Sequence, residues 1–210
     1  MTWVVPMAIA GVIAVLDWWA VGTDRRPVER WAKPGVMVFL ILAALLIPAG
    51  SESVRWWIVV GLAFGLVGDV LLFLDRFIPG AAAFLIGHIA YVVALLLVPQ
   101  EPRGLLVGFV IVALTGGLVA WRIVRGAFAN SRTLGAIVGV YMLVLGAVVV
   151  LAVGSPSLIV AVAALLFLSS DALLAWARFV GPAPGGRVAV MVTYQLAQAG
   201  FVLALPTLGA

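Results

Sequence analysis

Eight runs of about twenty apolar residues, separated by gaps too short to hold a domain, decide most of what this chain can become. A hydrocarbon layer about 30 Å thick takes roughly 20 helical residues to cross. Windows of that length fall at about 3–22, 33–49, 56–74, 80–98, 104–121, 133–153, 157–177 and 188–206. Pro, Gly and charged residues punctuate the gaps, as in Thr23–Arg30, Asp75–Pro79 and Arg178–Arg187. The runs are continuously apolar and do not alternate, which excludes a β-barrel. The reading is an all-α polytopic membrane bundle of about eight transmembrane helices, a single integral membrane domain over residues 1–210. Composition agrees: 66% of residues are hydrophobic and 10% charged, against roughly half and a quarter in soluble domains. Water-soluble enzymes, nucleic-acid binders and disordered chains are excluded, despite a pI near 10.3. Cysteine is absent, so thiol nucleophiles, disulfides and thiolate metal sites are excluded as well.

Lys and Arg are placed asymmetrically. The first, third, fifth and seventh gaps hold ten of them, including Arg25, Arg26, Arg30, Lys33 and Arg187; the others hold only Arg55 and Arg103. Positive-inside logic places the odd gaps in the cytoplasm and both termini on the non-cytoplasmic side. The first five residues carry no basic side chain, so the first span is expected to be retained rather than cleaved as a signal peptide. Trp18, Trp19, Trp56 and Trp57 sit at span ends, where aromatic belts belong. One Lys against eleven Arg, with abundant Ala, Gly and Val, suggests a high-GC bacterium, hence the bacterial cytoplasmic membrane. The halves also echo each other: at an offset of 102, Asp69, Leu71, Leu72, Arg76 and Phe77 meet Asp171, Leu173, Leu174, Arg178 and Phe179. A parallel 4+4 internal repeat is the expectation.

A charged side chain within a span costs about 2.5–3.5 kcal/mol on insertion scales, so each one needs a reason. Asp69 and Asp171 lie near the ends of spans three and seven. His88, the only histidine, and Tyr91 share a face of span four, and Tyr194, Gln195 and Gln198 occupy span eight. With the orientation above, all fall at similar depth in the cytoplasmic half. Gly61, Gly65 and Gly68 share a face with Asp69; they let a neighbouring helix close in and aim the carboxylate inward. Ser169 and Ser170 flank Asp171 as hydrogen-bond partners. Asp17, beside Trp18 and Trp19, reads as interfacial.

No nucleophile elbow, Walker loop or zincin motif is present. One His and two Asp make a sparse set without metal spacing, so neither a metal nor another cofactor is expected. What remains is two carboxylates in a low-dielectric cavity, expected to settle with one protonated and one ionised. That arrangement suits acid-triggered hydrolysis of an ether-like bond through a cationic intermediate, and it equally suits proton-coupled transport. Against a broken-helix transporter stands the absence of paired Gly/Pro interruptions at matched midplane positions.

Three stretches resemble the signatures of the YhhN-type lysoplasmalogenase family: Leu62-Ala-Phe-Gly-Leu-Val-Gly-Asp69-Val-Leu-Leu, Phe84-Leu-Ile-Gly-His88-Ile-Ala-Tyr91 and Leu165-Leu-Phe-Leu-Ser-Ser-Asp171-Ala-Leu-Leu. Lys33-Pro34, opening span two, and Thr193-Tyr194-Gln195-Leu-Ala-Gln198 match its remaining polar positions. The resemblance covers nearly the whole chain; only the long basic first gap with Asp24-Arg25-Arg26 lies outside the pattern. It implies a membrane hydrolase that cleaves the vinyl ether bond of lysoplasmalogens, giving a fatty aldehyde and glycerophosphocholine or glycerophosphoethanolamine. Asp69 and Asp171 would be catalytic; Lys33, His88, Tyr91, Tyr194 and Gln198 would bind substrate, with Lys33 on the phosphate. The partners would be a single-chain ether lysophospholipid and the bilayer. The alkenyl tail is expected among spans three, four, seven and eight.

Overall fold

The computed structural model describes residues 2–209 and contains eight long helices, with no strand among the described residues. They are α1 (Val4–Gly22), α2 (Arg26–Leu46), α3 (Glu52–Phe73), α4 (Phe77–Leu96), α5 (Pro102–Asn130), α6 (Arg132–Gly154), α7 (Leu158–Phe179) and α8 (Gly186–Ala204). Local chemistry sets several starts. Ser131 Oγ accepts from the Leu134 amide at 3.1 Å to cap α6, and a proline occupies the first turn of α2 and of α5. The α1–α2 and α3–α4 turns pivot on Asp24 (φ 52°) and Asp75 (φ 57°), a left-handed conformation that Asp tolerates better than most residues.

Seven of these helices are long and apolar enough to cross a membrane, and the chain is a multi-pass integral membrane protein. The remaining helix, α2, starts at Arg26 and not at the expected residue 33, so the first gap shrinks to a tight turn. Hydropathy falls at Arg26, Glu29, Arg30 and Lys33, but a helical backbone does not need apolar side chains. Glu29 and Lys33 are buried against the protein. Helix α5 likewise overruns its expected end at 121 and reaches Asn130, carrying Arg122 and Arg125 on a helix and not in a loop. A π turn at Gly116–Ala120 widens it midway. Only 6% of its most apolar stretch is buried, so α5 lies at the periphery, packed chiefly on α6.

Successive helices pair, α3 with α4 and α7 with α8 among them. Helices α1–α2 and α5–α6 also pair, α2 meets α8, and α4 meets α6. Helix α1 also meets α8 and α5 also meets α7, so the two runs of four helices share some neighbours and differ in others. Gly61 and Gly68 are what bring α4 onto α3: a Cβ at either position would collide with the ring of Tyr91 or Phe84. Gly65 faces α8 instead, where a Cβ would sit 3.0 Å from Gln198 Nε2 and 3.1 Å from the Tyr194 hydroxyl. Buried aromatic rings fill the centre. Tyr91 stacks on Phe201 (4.3 Å between centroids), and Phe167 lies between Tyr91, His88, Tyr194 and Phe201.

Candidate active site

Asp69 and Asp171 both point into the bundle, 2% and 7% exposed, but they keep different company. The Lys33 ammonium lies 3.1 Å from Asp69 Oδ1, which makes an ion pair with the other oxygen, Oδ2, buried and without a hydrogen-bond partner. Tyr194 approaches the same carboxylate, its hydroxyl 3.5 Å from Met37 Sδ. Lys33 is two turns inside α2, not at its opening, which is why it reaches a carboxylate on α3.

Around Asp171, among the described residues, no Lys or Arg side chain makes an ion pair. The Tyr141 hydroxyl donates to Asp171 Oδ2 at 2.5 Å, and His88 Nε2 faces that oxygen at 3.4 Å. The tautomer of His88 follows from its other nitrogen. Nδ1 lies 2.7 Å from the Phe84 carbonyl, which can only accept, so Nδ1 carries a hydrogen. A neutral ring then turns a bare Nε2 toward the carboxyl group. Nε2 makes no hydrogen bond among the described residues, and a proton on either atom of the His88–Asp171 pair would remove the opposition of two lone pairs across this buried gap. Phe167 and Tyr141 clamp the imidazole at centroid distances of 4.7 and 5.1 Å and fix its orientation. Each acid is therefore held by the preceding helix of its own half and approached by the last helix of the other: α2 and α8 for Asp69, α6 and α4 for Asp171.

The remaining expected residues lie behind the acids. Tyr91 donates to Gln198 Oε1 at 2.5 Å, leaving Gln198 Nε2 buried and unpaired. Ser169 and Ser170 do not bond Asp171; their hydroxyls donate to the carbonyls of Leu165 (2.8 Å) and Val190 (3.1 Å). Asp17 faces the bundle interior. It is 0% exposed and accepts from Gln195 Nε2 at 2.7 Å, because its face of α1 turns toward α8 while the Trp19 side turns outward. Tyr141 had no place in the sequence reading: a tyrosine in an apolar run looks like any other membrane aromatic.

Two cavities meet at this site. An apolar cleft lined by Phe77, Ala81, Phe84, Val138 and Tyr141 ends on Asp171; its walls are α3, α4, α6 and α7. A polar pocket at the basic end is lined by Arg26, Glu29, Lys33, Asp75 and Arg187. Leu72 and Leu174 line both and form the partition between them. They stand one turn beyond Asp69 and Asp171, at equivalent places in the Asp-x-x-Leu sequences.

The YhhN family model matches residues 28–205. Among characterised proteins, the chain is 28% identical to the mouse lysoplasmalogenase TMEM86B, over 96% of this chain and 85% of the mouse protein. It is 38% identical to the pig lysoplasmalogenase TMEM86B over 63% of this chain and 55% of the relative. To the lysoplasmalogenase of Mycobacterium bovis it is 30% identical, over 75% of this chain and 62% of that protein. No solved structure matches the chain. With the matched region running from the start of α2 to the end of α8, the chain belongs to the YhhN family.

Proposed function

We propose that the protein is a lysoplasmalogenase that hydrolyses the vinyl ether bond of a single-chain alkenyl glycerophospholipid. One observation carries the reading. Two buried carboxylates, Asp69 paired with a lysine and Asp171 faced by a histidine, each stand one turn from a leucine that lines both an apolar cleft and a polar pocket. A lysoplasmalogen has the same order: hydrocarbon, vinyl ether, then a polar head. The names borne by its mammalian and mycobacterial relatives support the same substrate class.

The geometry divides the labour. The proton held by His88 and Asp171 passes to the β-carbon of the vinyl ether, and the electron pair of the double bond forms the new C–H bond. The α-carbon becomes an oxocarbenium ion, left beside a carboxylate that Tyr141 still bonds. Asp69, ionised against Lys33 and with Oδ2 free, orients a water and takes its proton as the water oxygen bonds to the α-carbon. The hemiacetal collapses: its hydroxyl proton leaves, the glycerol oxygen departs with a proton, and aldehyde forms. The proton on Asp69 restores the His88–Asp171 pair. Tyr91, Tyr194 and Gln198 form the polar back wall and hold the water and glycerol oxygens.

The test is aldehyde release by purified protein from an alkenyl lysophospholipid, with an ester lysophospholipid as control. Aldehyde from the vinyl ether alone is expected, with Asp69→Asn and Asp171→Asn inserted, folded and inactive. Wild-type turnover in either variant sinks the carboxylate mechanism. Solute flux in sealed vesicles without aldehyde release would make the protein a transporter.

A further inference from the structure

The strongest unassigned feature is the polar pocket at the basic end. We propose that it is a phosphate subsite with Arg187 and Arg26 as its ligands, and that it seats a zwitterionic glycerophosphodiester head group. The head-group half of this rests on the function proposed above; the anion site does not. The pocket encloses about 350 Å³, within the roughly 300–1,000 Å³ of small-molecule sites. Lys33, the residue expected to hold phosphate, is committed to Asp69 at 3.1 Å with its side chain 10% exposed.

Arg187 is different. Half of its side chain is open. Nη2 donates to both oxygens of buried Glu29 at 2.6 Å, and Nη1 donates to Asp24 at 3.2 Å. These acids fix the guanidinium plane, while Nε–H makes no hydrogen bond among the described residues. A guanidinium already ordered loses little freedom on gripping a tetrahedral anion with its remaining donors. Arg26 is exposed, lines the same pocket and forms no ion pair among the described residues, so its guanidinium is available to an anion. Helix α8 starts beside them at Gly186, 19 residues long and without a side-chain cap, adding the positive end of its dipole. Asp75 supplies an acceptor in the same pocket for an ammonium group. A lipid laid across the Leu72–Leu174 partition would then have phosphate at Arg187, hydrocarbon in the cleft and its vinyl ether between the two aspartates.

The experiment is titration calorimetry on the detergent-purified full chain with glycerophosphocholine, glycerophosphoethanolamine, inorganic phosphate and glycerol, at low and high salt. Both diesters are expected to bind, glycerol is not, and affinity falls with salt. Arg26→Gln should weaken diester binding about tenfold. Arg187→Gln combined with Glu29→Gln, which leaves no buried charge unpaired, should abolish it, and Arg187→Lys should retain part of it. Inorganic phosphate binding as tightly as the diesters would make the site one for free phosphate and overturn the head-group assignment. Unchanged affinity in the arginine variants, or no binding by the wild type, overturns the subsite. In parallel, the preference for alkenyl lysophospholipid over alkenylglycerol, read as a ratio of kcat/KM, should fall about tenfold in Arg26→Gln. Diester binding without any aldehyde release leaves the subsite standing and removes the hydrolase reading. Aldehyde release with unaltered preference and binding in the variants does the reverse.

Discussion

Replacing Lys33 with Met tests whether the Asp69 carboxylate is ionised in the folded protein. The side chain keeps its length and loses its charge, so packing in α2 changes little. Asp69 is 2% exposed and Lys33 is its ion-pair partner among the described residues, so no second cation takes over from the ammonium. Removing one member of a buried ion pair costs about 3–5 kcal/mol. There is a ceiling: the acid can fold protonated instead, and neutralising an Asp with an ordinary pKa of about 3.9 costs roughly 4 kcal/mol at pH 7. The predicted loss is therefore about 3–4 kcal/mol. A neutral interhelical hydrogen bond in a membrane averages only about 0.6 kcal/mol and reaches about 1.7, so the two descriptions do not overlap. The variant binds a proton on folding that the unfolded chain has lost, so its deficit grows by about 1.4 kcal/mol per pH unit and is smallest near pH 4. Unfolding in mixed micelles, followed through the eight tryptophans, measures the loss. Adding Asp69→Asn should restore most of it, a coupling of about 2 kcal/mol or more. A loss below about 1 kcal/mol, or strict additivity in the double variant, refutes the ion pair and with it the assignment of Asp69 as the ionised acid.

Other substitutions probe the same frame. Tyr141→Phe removes the 2.5 Å bond to Asp171; hydrogen bonds to charged groups are worth about 1.5–3 kcal/mol, so unfolding assays should show a loss of that order, and kcat should fall about 10- to 150-fold where the bond also supports the transition state. Gly61→Ala drives a methyl into the Tyr91 ring and should cost about 1–3 kcal/mol in unfolding assays while breaking the bond to Gln198. Asp17→Ala strands Gln195 and should cost about 1–3 kcal/mol of stability, with the folded fraction keeping its kcat. Ala81→Phe fills the apolar cleft and should raise KM for long-chain substrates more than for short ones.

What the sequence makes legible is what lipid penalises. Asp69, Asp171 and His88 stand out because a charge inside an apolar run is expensive, and all three sit at the centre of the site. Tyr141 escapes because a phenol in a span costs little and carries no pattern; only its distance to Asp171 reveals it. The burial of Asp17 is not legible from its neighbours: Trp18 and Trp19 mark a position along the helix, whereas burial depends on direction around it. The length of α2 was hidden for the opposite reason. Its charges look like a loop when counted along the chain, and only tertiary partners, Arg187 for Glu29 and Asp69 for Lys33, make them compatible with a helix packed in the bundle. The 102-residue echo says nothing of the exchange by which α8 approaches Asp69 and α4 approaches Asp171.

The partition made by Leu72 and Leu174 also bears on how turnover ends. With hydrocarbon on one side and ionic head group on the other, the proposed scission yields fragments that no longer share a solvent. The aldehyde departs through the apolar cleft into the bilayer, and the phosphodiester departs through the basic mouth into water. Dilution into separate phases draws the reaction forward and disfavours recombination. Inhibition by the two products should accordingly be independent: soluble diester competes from the aqueous side, long-chain aldehyde from the membrane side, and neither displaces the other.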